Sequence, residues 1–226
     1  MRKLALAAGL SLALAAGAVQ AAAVVINEID YDQPGIDSAE FVELFNPSST
    51  GIDLTGWSLR LVNGTGGSVY DTIILPDALI LGAGDYYVIC GDTVGATVAN
   101  CDLRIRGYYG SGDGMNILQN GSPDAMALIN ASGAFVDVVS YEGDTAGYTE
   151  GSGVGLADES YVAGVGLSRC ANGADTNQNN VDFQLRSITP GAANDCPSSN
   201  SSVPEPASLA LLGLGLAGLA LRRRKQ

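Results

Sequence analysis

Glu40 and Glu43 stand three residues apart in Glu40-Phe41-Val42-Glu43, and a pair of carboxylates is the equipment of a glycosidase. Residues three apart on an extended segment point to opposite faces, so these two do not converge on one substrate without a bulge. A second grouping, Glu28, Asp32 and Glu40, draws on two neighbouring extended segments and the loop between them. Brought together, those carboxylates would make a Ca2+ site or a catalytic pair; left apart, they are a solvated strand edge that discourages edge pairing. A third, Asp175-x-Asn177-x-Asn179 followed by Asp182, offers oxygen ligands at alternate positions, as hard cations prefer. It lacks the glycine at the sixth position and the distal glutamate of an EF-hand loop. Asx turns, in which Asp and Asn side chains bond their own backbone, explain the same residues. Calcium and a purely structural role therefore both stand as readings of these two acidic groups.

What surrounds these carboxylates narrows the chemistry. The chain contains no histidine. Serine- and cysteine-hydrolase arrangements that need an imidazole are excluded, as is a histidine-ligated zinc. An enzyme here would have to rely on carboxylates, tyrosine, cysteine, arginine or a carboxylate-bound metal. Among the aromatic residues, Trp57 follows Thr55-Gly56 at the start of an extended segment and reads as a core anchor. One tyrosine of Tyr86-Tyr87 must face outward, and Tyr108-Tyr109 lies in the glycine-rich stretch from Gly107 to Gly114, a loop composition suited to binding.

The elements that must position these residues are short strands. Val24 to Ile29, Glu40 to Phe45, Trp57 to Val62, Val69 to Leu75, Tyr86 to Cys90, Ala125 to Asn130, Ala134 to Tyr141, Ser160 to Val165 and Asp182 to Leu185 are β-branched or alternating runs. Turn signals separate them, among them Asn46-Pro47, Asn63-Gly64 and Ala131-Ser132-Gly133. Residues 142–166 are rich in glycine and acids and read as a long surface loop. No window between the ends carries helical periodicity, so the pattern predicts an all-β sandwich or barrel. At 226 residues there is room for one ordinary domain with appendages.

The four cysteines, Cys90, Cys101, Cys170 and Cys196, allow three pairings. Cys90–Cys101 with Cys170–Cys196 is preferred, because each pair closes a short Asp/Asn/Gly-rich excursion. Disulfides persist in exported proteins, and the N-terminus carries an export signal: Met1-Arg2-Lys3, an apolar run from Leu4 to Val19, then Ala21-Ala22-Ala23. Val19 and Ala21 place cleavage after Ala21, with Ala23 as the alternative, and the route is Sec export. Residues 1–21 are thus a signal peptide and residues 22–196 the domain. Residues 197–202 are a serine-rich linker and residues 203–226 a C-terminal segment. Between the two ends the domain holds five arginines, no lysine and 23 carboxylates, a formal −18. Such a surface repels phosphate backbones, and direct nucleic-acid binding is not expected.

The C-terminal segment reads Val203-Pro204-Glu205-Pro206, fifteen residues without a charge from Ala207 to Leu221, then Arg222-Arg223-Arg224-Lys225. It resembles the PEP-CTERM sorting signal of Gram-negative bacteria, with motif, apolar helix and basic tail in order. The resemblance implies an exosortase partner, transient insertion in the inner membrane with the four cations held inside, and delivery to the cell surface or extracellular matrix.

The domain carries a second resemblance. Ile26-Asn27-Glu28-Ile29, Glu40 to Asn46 and Asp53-Leu54-Thr55-Gly56-Trp57-Ser58-Leu59 look like the signature of the lamin-tail domain. Asn120 to Leu128, Val138 to Gly143, Asp175 to Phe183 and Thr189-Pro190-Gly191-Ala192-Ala193-Asn194 are similar to bacterial members that accompany extracellular nucleases. The resemblance implies an immunoglobulin-like β-sandwich that is not itself catalytic. Those nucleases need histidines that this chain lacks, so nuclease activity does not carry over. The expectation is a non-enzymatic surface or matrix protein that engages polysaccharide or other surface proteins. A Ca2+-dependent polysaccharide- or DNA-binding module is the alternative, and a carboxylate-based hydrolase a more distant one.

Overall fold

The computed structural model describes residues 24–91, 98–106 and 115–197. Two sheets enclose one core. The six-stranded sheet has the order β12-β11-β1-β2-β7-β8, built from β1 (Val25–Asp30), β2 (Phe41–Phe45), β7 (Tyr86–Gly91), β8 (Cys101–Ile105), β11 (Val165–Arg169) and β12 (Phe183–Ser187). The four-stranded sheet has the order β10-β9-β4-β5, from β4 (Ser58–Asn63), β5 (Ser68–Ile74), β9 (Asp124–Ile129) and β10 (Phe135–Tyr141). A two-stranded ribbon pairs β3 (Ile52–Asp53) with β6 (Ile80–Leu81), and one helical turn, α1 (Asn179–Asp182), leads into β12. Every pairing is antiparallel except β7 with β8.

The all-β sandwich is as expected. Inner faces of both sheets contribute to a single cluster, including Ile26, Ile29, Val42, Leu44 and Ile89 from one sheet and Leu59, Leu61, Met126, Leu128 and Val139 from the other. Trp57 joins it as the sequence implies. In β1, Ile26 faces Leu44 and Ile29 faces Val42, although the two isoleucines are three residues apart. A β-bulge at Asn27 absorbs the extra residue and returns the chain to phase. Glu28 then stands opposite Glu43 on the outer face, with Asp30 opposite Phe41.

Three strands escape the sequence pattern. β3 and β6 are two residues each, below what alternation reveals, and β8 is an edge strand with no fully buried position, missed although its residues alternate. The strand expected at Ser160 to Val165 is instead a turn up to Gly164, and β11 begins at Val165. Gly166 explains the displacement. A Cβ there would come within 2.7 Å of the Ile29 carbonyl, so the close approach of β11 to β1 uses a glycine that a strand pattern penalises. Both disulfides are the preferred ones, Cys90–Cys101 with Cα atoms 5.9 Å apart and Cys170–Cys196 at 5.6 Å. The loop at 142–166 is surface-exposed over much of its length but anchored through buried Thr145, Leu156 and Asp158.

Candidate functional site

The outer face of a sandwich sheet is normally solvated, yet here Glu28 and Glu43 are fully buried. The chain after β12 covers them. Thr189 donates its backbone N–H to both Glu28 oxygens, at 3.0 and 2.9 Å, and Gly191 donates to Glu43 Oε2 at 2.7 Å. Ser168 Oγ donates to Glu28 at 2.8 Å, and Asn27 Nδ2 to Glu43 Oε1 at 2.8 Å. Asn194 completes the fastening. Its Nδ2 donates to the Asn27 and Arg169 carbonyls at 3.0 and 2.9 Å, and its Oδ1 accepts from Asn27 Nδ2 at 3.2 Å. The Cys170–Cys196 bridge pins the end of this strap to the residue that follows β11. Burial pushes both carboxyls above their ordinary range, Glu43 to about 7, against the lowering effect of the hydrogen bonds they accept.

Glu40 works at another place. It precedes β2, is 1% exposed, and its Oε2 accepts the backbone N–H groups of Ile117 and Leu118, the latter at 3.3 Å. Its Oε1 is buried with no hydrogen-bond partner among the described residues. Burial, followed by the charges of Asp37 and Asp30, outweighs those two bonds and raises its pKa to about 9. Nearby, Asp30 is pushed up to about 8 by burial. Asp158, which accepts from the Tyr31 N–H at 3.1 Å, is pushed up to about 6 for the same first reason. Asp32 lies at the same end, its pKa raised by burial and by Asp37 and Glu142. Glu28, Asp32 and Glu40 therefore do not assemble. One is beneath the strap, one holds the 117–118 backbone, and one is half-exposed. Glu40 and Glu43 likewise diverge, as the period of a strand requires.

The model of the Lamin Tail Domain family matches residues 18–143, more than half of the chain, and that of the PEP-CTERM protein-sorting motif matches residues 202–225. The chain belongs to the lamin tail domain family. No curated protein matches it. The sorting motif marks an exported protein processed by an exosortase-type enzyme, with a membrane-associated C-terminal signal. The lamin tail domain sandwich extends beyond the matched residues. β11, β12 and the strap all follow residue 143, and they supply the N–H groups that Glu28 and Glu43 hold. The Asn27-Glu28 and Glu43 elements of the signature are thus bonded to the Thr189–Asn194 element.

In this lamin tail domain the Asp175–Asp182 segment is organised around an arginine. Arg169 is fully buried and lies 3.0 Å from Asp182, 3.4 Å from Asp175 and 2.9 Å from Asp137 on β10. Its guanidinium also stands 4.6 Å above the Phe183 ring, and its Nε donates to the Ile26 carbonyl at 3.0 Å. Asp182 accepts further bonds from Thr176, and Asp175 from the Asn177 N–H. Asn179 is engaged elsewhere, bridging Val138, Ser140 and Glu150. The four alternate oxygens do not converge. Among the described residues one group of three acids brings its oxygens within 4.8 Å, Asp137, Glu150 and Asp175, and two of the three, Asp137 and Asp175, are paired with Arg169. Burial together with the Asp137 and Asp175 charges raises Glu150 to about 8.

Sequence reasoning missed Arg169 and Asp137. The available signal was composition: five arginines against 23 carboxylates, with one arginine set directly between strand residues and Cys170. Tyr87 lies in the core, while Tyr86 faces the other way, stacked on Phe45 at 4.6 Å with its hydroxyl held by Asn172. Tyr108-Tyr109, the expected signal peptide with Arg2 and Lys3, the motif at 203–206, the apolar run and the cations at 222–225 lie outside the described residues. Among the described residues no helix is long and apolar enough to cross a membrane.

Proposed function

We propose that this protein is a non-enzymatic binding module, displayed on the surface or in the extracellular matrix of a Gram-negative bacterium after its C-terminal segment is removed. The observation that carries the reading is the use made of the signature carboxylates. Glu28 and Glu43 hold the strap's backbone, and Glu40 holds the backbone at 117–118. Their lone pairs support the scaffold, which favours a domain that presents a surface over one that performs hydrolysis. The acidic, lysine-free surface fits uncharged or cationic matrix components better than polyanions.

The test compares fractions of the native host. The mature protein should sediment with the extracellular matrix and show no hydrolysis of polysaccharide or DNA, with or without added Ca2+. Turnover that disappears in a Glu28→Gln or Glu40→Gln variant would replace this reading with a carboxylate hydrolase. Matrix association that vanishes with a chelator would favour the calcium-dependent module.

A further inference from the structure

The segment Asn116–Gly121 is fastened with unusual completeness. Asn116 N–H donates to the Asp37 carbonyl at 3.1 Å, and Ile117 and Leu118 N–H to Glu40. Gln119 N–H donates to Tyr70 Oη at 3.1 Å, while the Gln119 carbonyl accepts from Tyr141 Oη at 3.2 Å. Asn120 Nδ2 donates to Asp37 Oδ2 at 2.8 Å, and Gly121 N–H to Asp124 at 3.0 Å. A buried acid, one buried phenol and one half-buried phenol are thus spent on fixing one short loop. The loop borders a cavity of about 380 Å³ lined by Asn63, Asn116, Leu118, Gln119, Asn120 and Gly121.

The lining is chemically selective. Four of the six residues are carboxamides, and none of the six is charged, in a domain whose surface is otherwise strongly acidic. Each carboxamide pairs an acceptor oxygen with two N–H donors, the complement of hydroxyl groups that both donate and accept. An anionic ligand would find no cation there, and the Asp37 and Asp124 carboxylates bonded to Asn120 and Gly121 would repel it. The Oδ1 of Asn63, at the end of β4, is buried without a hydrogen-bond partner among the described residues. A buried acceptor left unmade costs about 1–3 kcal/mol. The volume lies at the small end of the roughly 300–1,000 Å³ typical of ligand sites, enough for one or two sugar rings. Because the backbone is already fixed, ordering costs on binding are small.

We infer that this carboxamide cavity binds a neutral saccharide, with Asn63, Asn116, Gln119 and Asn120 meeting its hydroxyls and Glu40 acting as the positioning residue for the loop. The inference rests on the binding-module reading and names its ligand class. Failure here, with the protein still exported and matrix-associated, would leave that reading intact.

The test is a glycan array of neutral hexose, pentose and N-acetylhexosamine oligosaccharides, with oligo-alginate as the polyanionic control, probed with the exported protein. Titration calorimetry on the best glycan then compares variants. Asn116→Gly is the decisive one. Asn116 has φ +51°, which glycine adopts without strain, so the side chain is removed while the fold keeps its melting temperature. Asn63→Ala removes the unpartnered acceptor. Each is expected to weaken binding tenfold or more, about 1.4 kcal/mol. No binding across the neutral glycans, equal binding to alginate, or affinities unchanged in both variants would each overturn the assignment.

Discussion

Replacing Arg169 with methionine tests how the sandwich tolerates its one fully buried guanidinium among the described residues. The wild-type side chain joins β11 to the β1 backbone, to Asp137 on β10 of the opposite sheet, and to Asp182 of α1. Methionine fills much of the volume and keeps contact with Phe183, but Asp137 and Asp182, 0% and 2% exposed, lose their cation. Removing one member of a buried ion pair costs about 3–5 kcal/mol, because the stranded charge is not resolvated. Against a total stability of about 5–15 kcal/mol that is a large fraction. For a domain of this size it lowers Tm by roughly 6–20 °C. The pH dependence carries a second signature. Asp137's pKa is raised by burial and held down by Arg169; without the arginine it rises further, and the protonated, neutral form relieves the penalty. The deficit relative to wild type should therefore be larger at pH 8 than at pH 5. Urea denaturation at both pH values measures it. A loss below about 1 kcal/mol at pH 8, or a deficit that grows in acid, would refute the buried-charge reasoning.

Other expectations follow from the same contacts. Asp30, Glu40 and Glu43 have folded-state pKa values of about 8, 9 and 7, all raised chiefly by burial, so the folded state binds more protons than the unfolded one. Their stabilising effect is complete below about pH 4 and lost as pH rises through 7 to 9, so Tm should fall between pH 5 and 9; a flat or rising profile contradicts the burial of these acids. Asn194→Ala strands the Asn27 and Arg169 carbonyls beneath the strap, at about 1–3 kcal/mol each. Hydrogen exchange should then accelerate at Thr189 and Gly191 first; unchanged protection there would mean that the strap is held by something else. Opening Cys170–Cys196 by double alanine substitution should cost roughly 3–4 kcal/mol for its 26-residue loop, slightly more than opening the 11-residue Cys90–Cys101 loop, as read by denaturant midpoints.

Most strands of five or more residues were legible as alternating or β-branched runs, though not β8, despite the alternation of Cys101 to Ile105, nor β11, which opens on Val165-Gly166; both disulfides followed from the loops they close. Glu28, Asp32 and Glu40 looked like a cluster because sequence proximity stood in for direction. The Asn27 bulge and the strap decide where Glu28 points, and neither is visible in a single strand's pattern. The Asp175–Asp182 oxygens looked like cation ligands because their actual partner, Arg169, lies on another strand and reaches them only through tertiary packing. The carboxamide cavity had no sequence signal at all. Asn63 and Asn116 are far apart along the chain and meet only because β4 ends beside the loop that Glu40 fixes.

An exported binding module that loses its sorting segment has a defined intact mass, which can be read on protein recovered from the extracellular fraction. In a host that carries an exosortase the mass should correspond to a chain that starts near Ala22 and ends close to Val203-Pro204-Glu205-Pro206, with the apolar run and Arg222 to Lys225 gone. Replacing those four cations with serine should weaken membrane retention and leave unprocessed protein in the periplasm. Extracellular protein that still ends in Gln226 would contradict the claim.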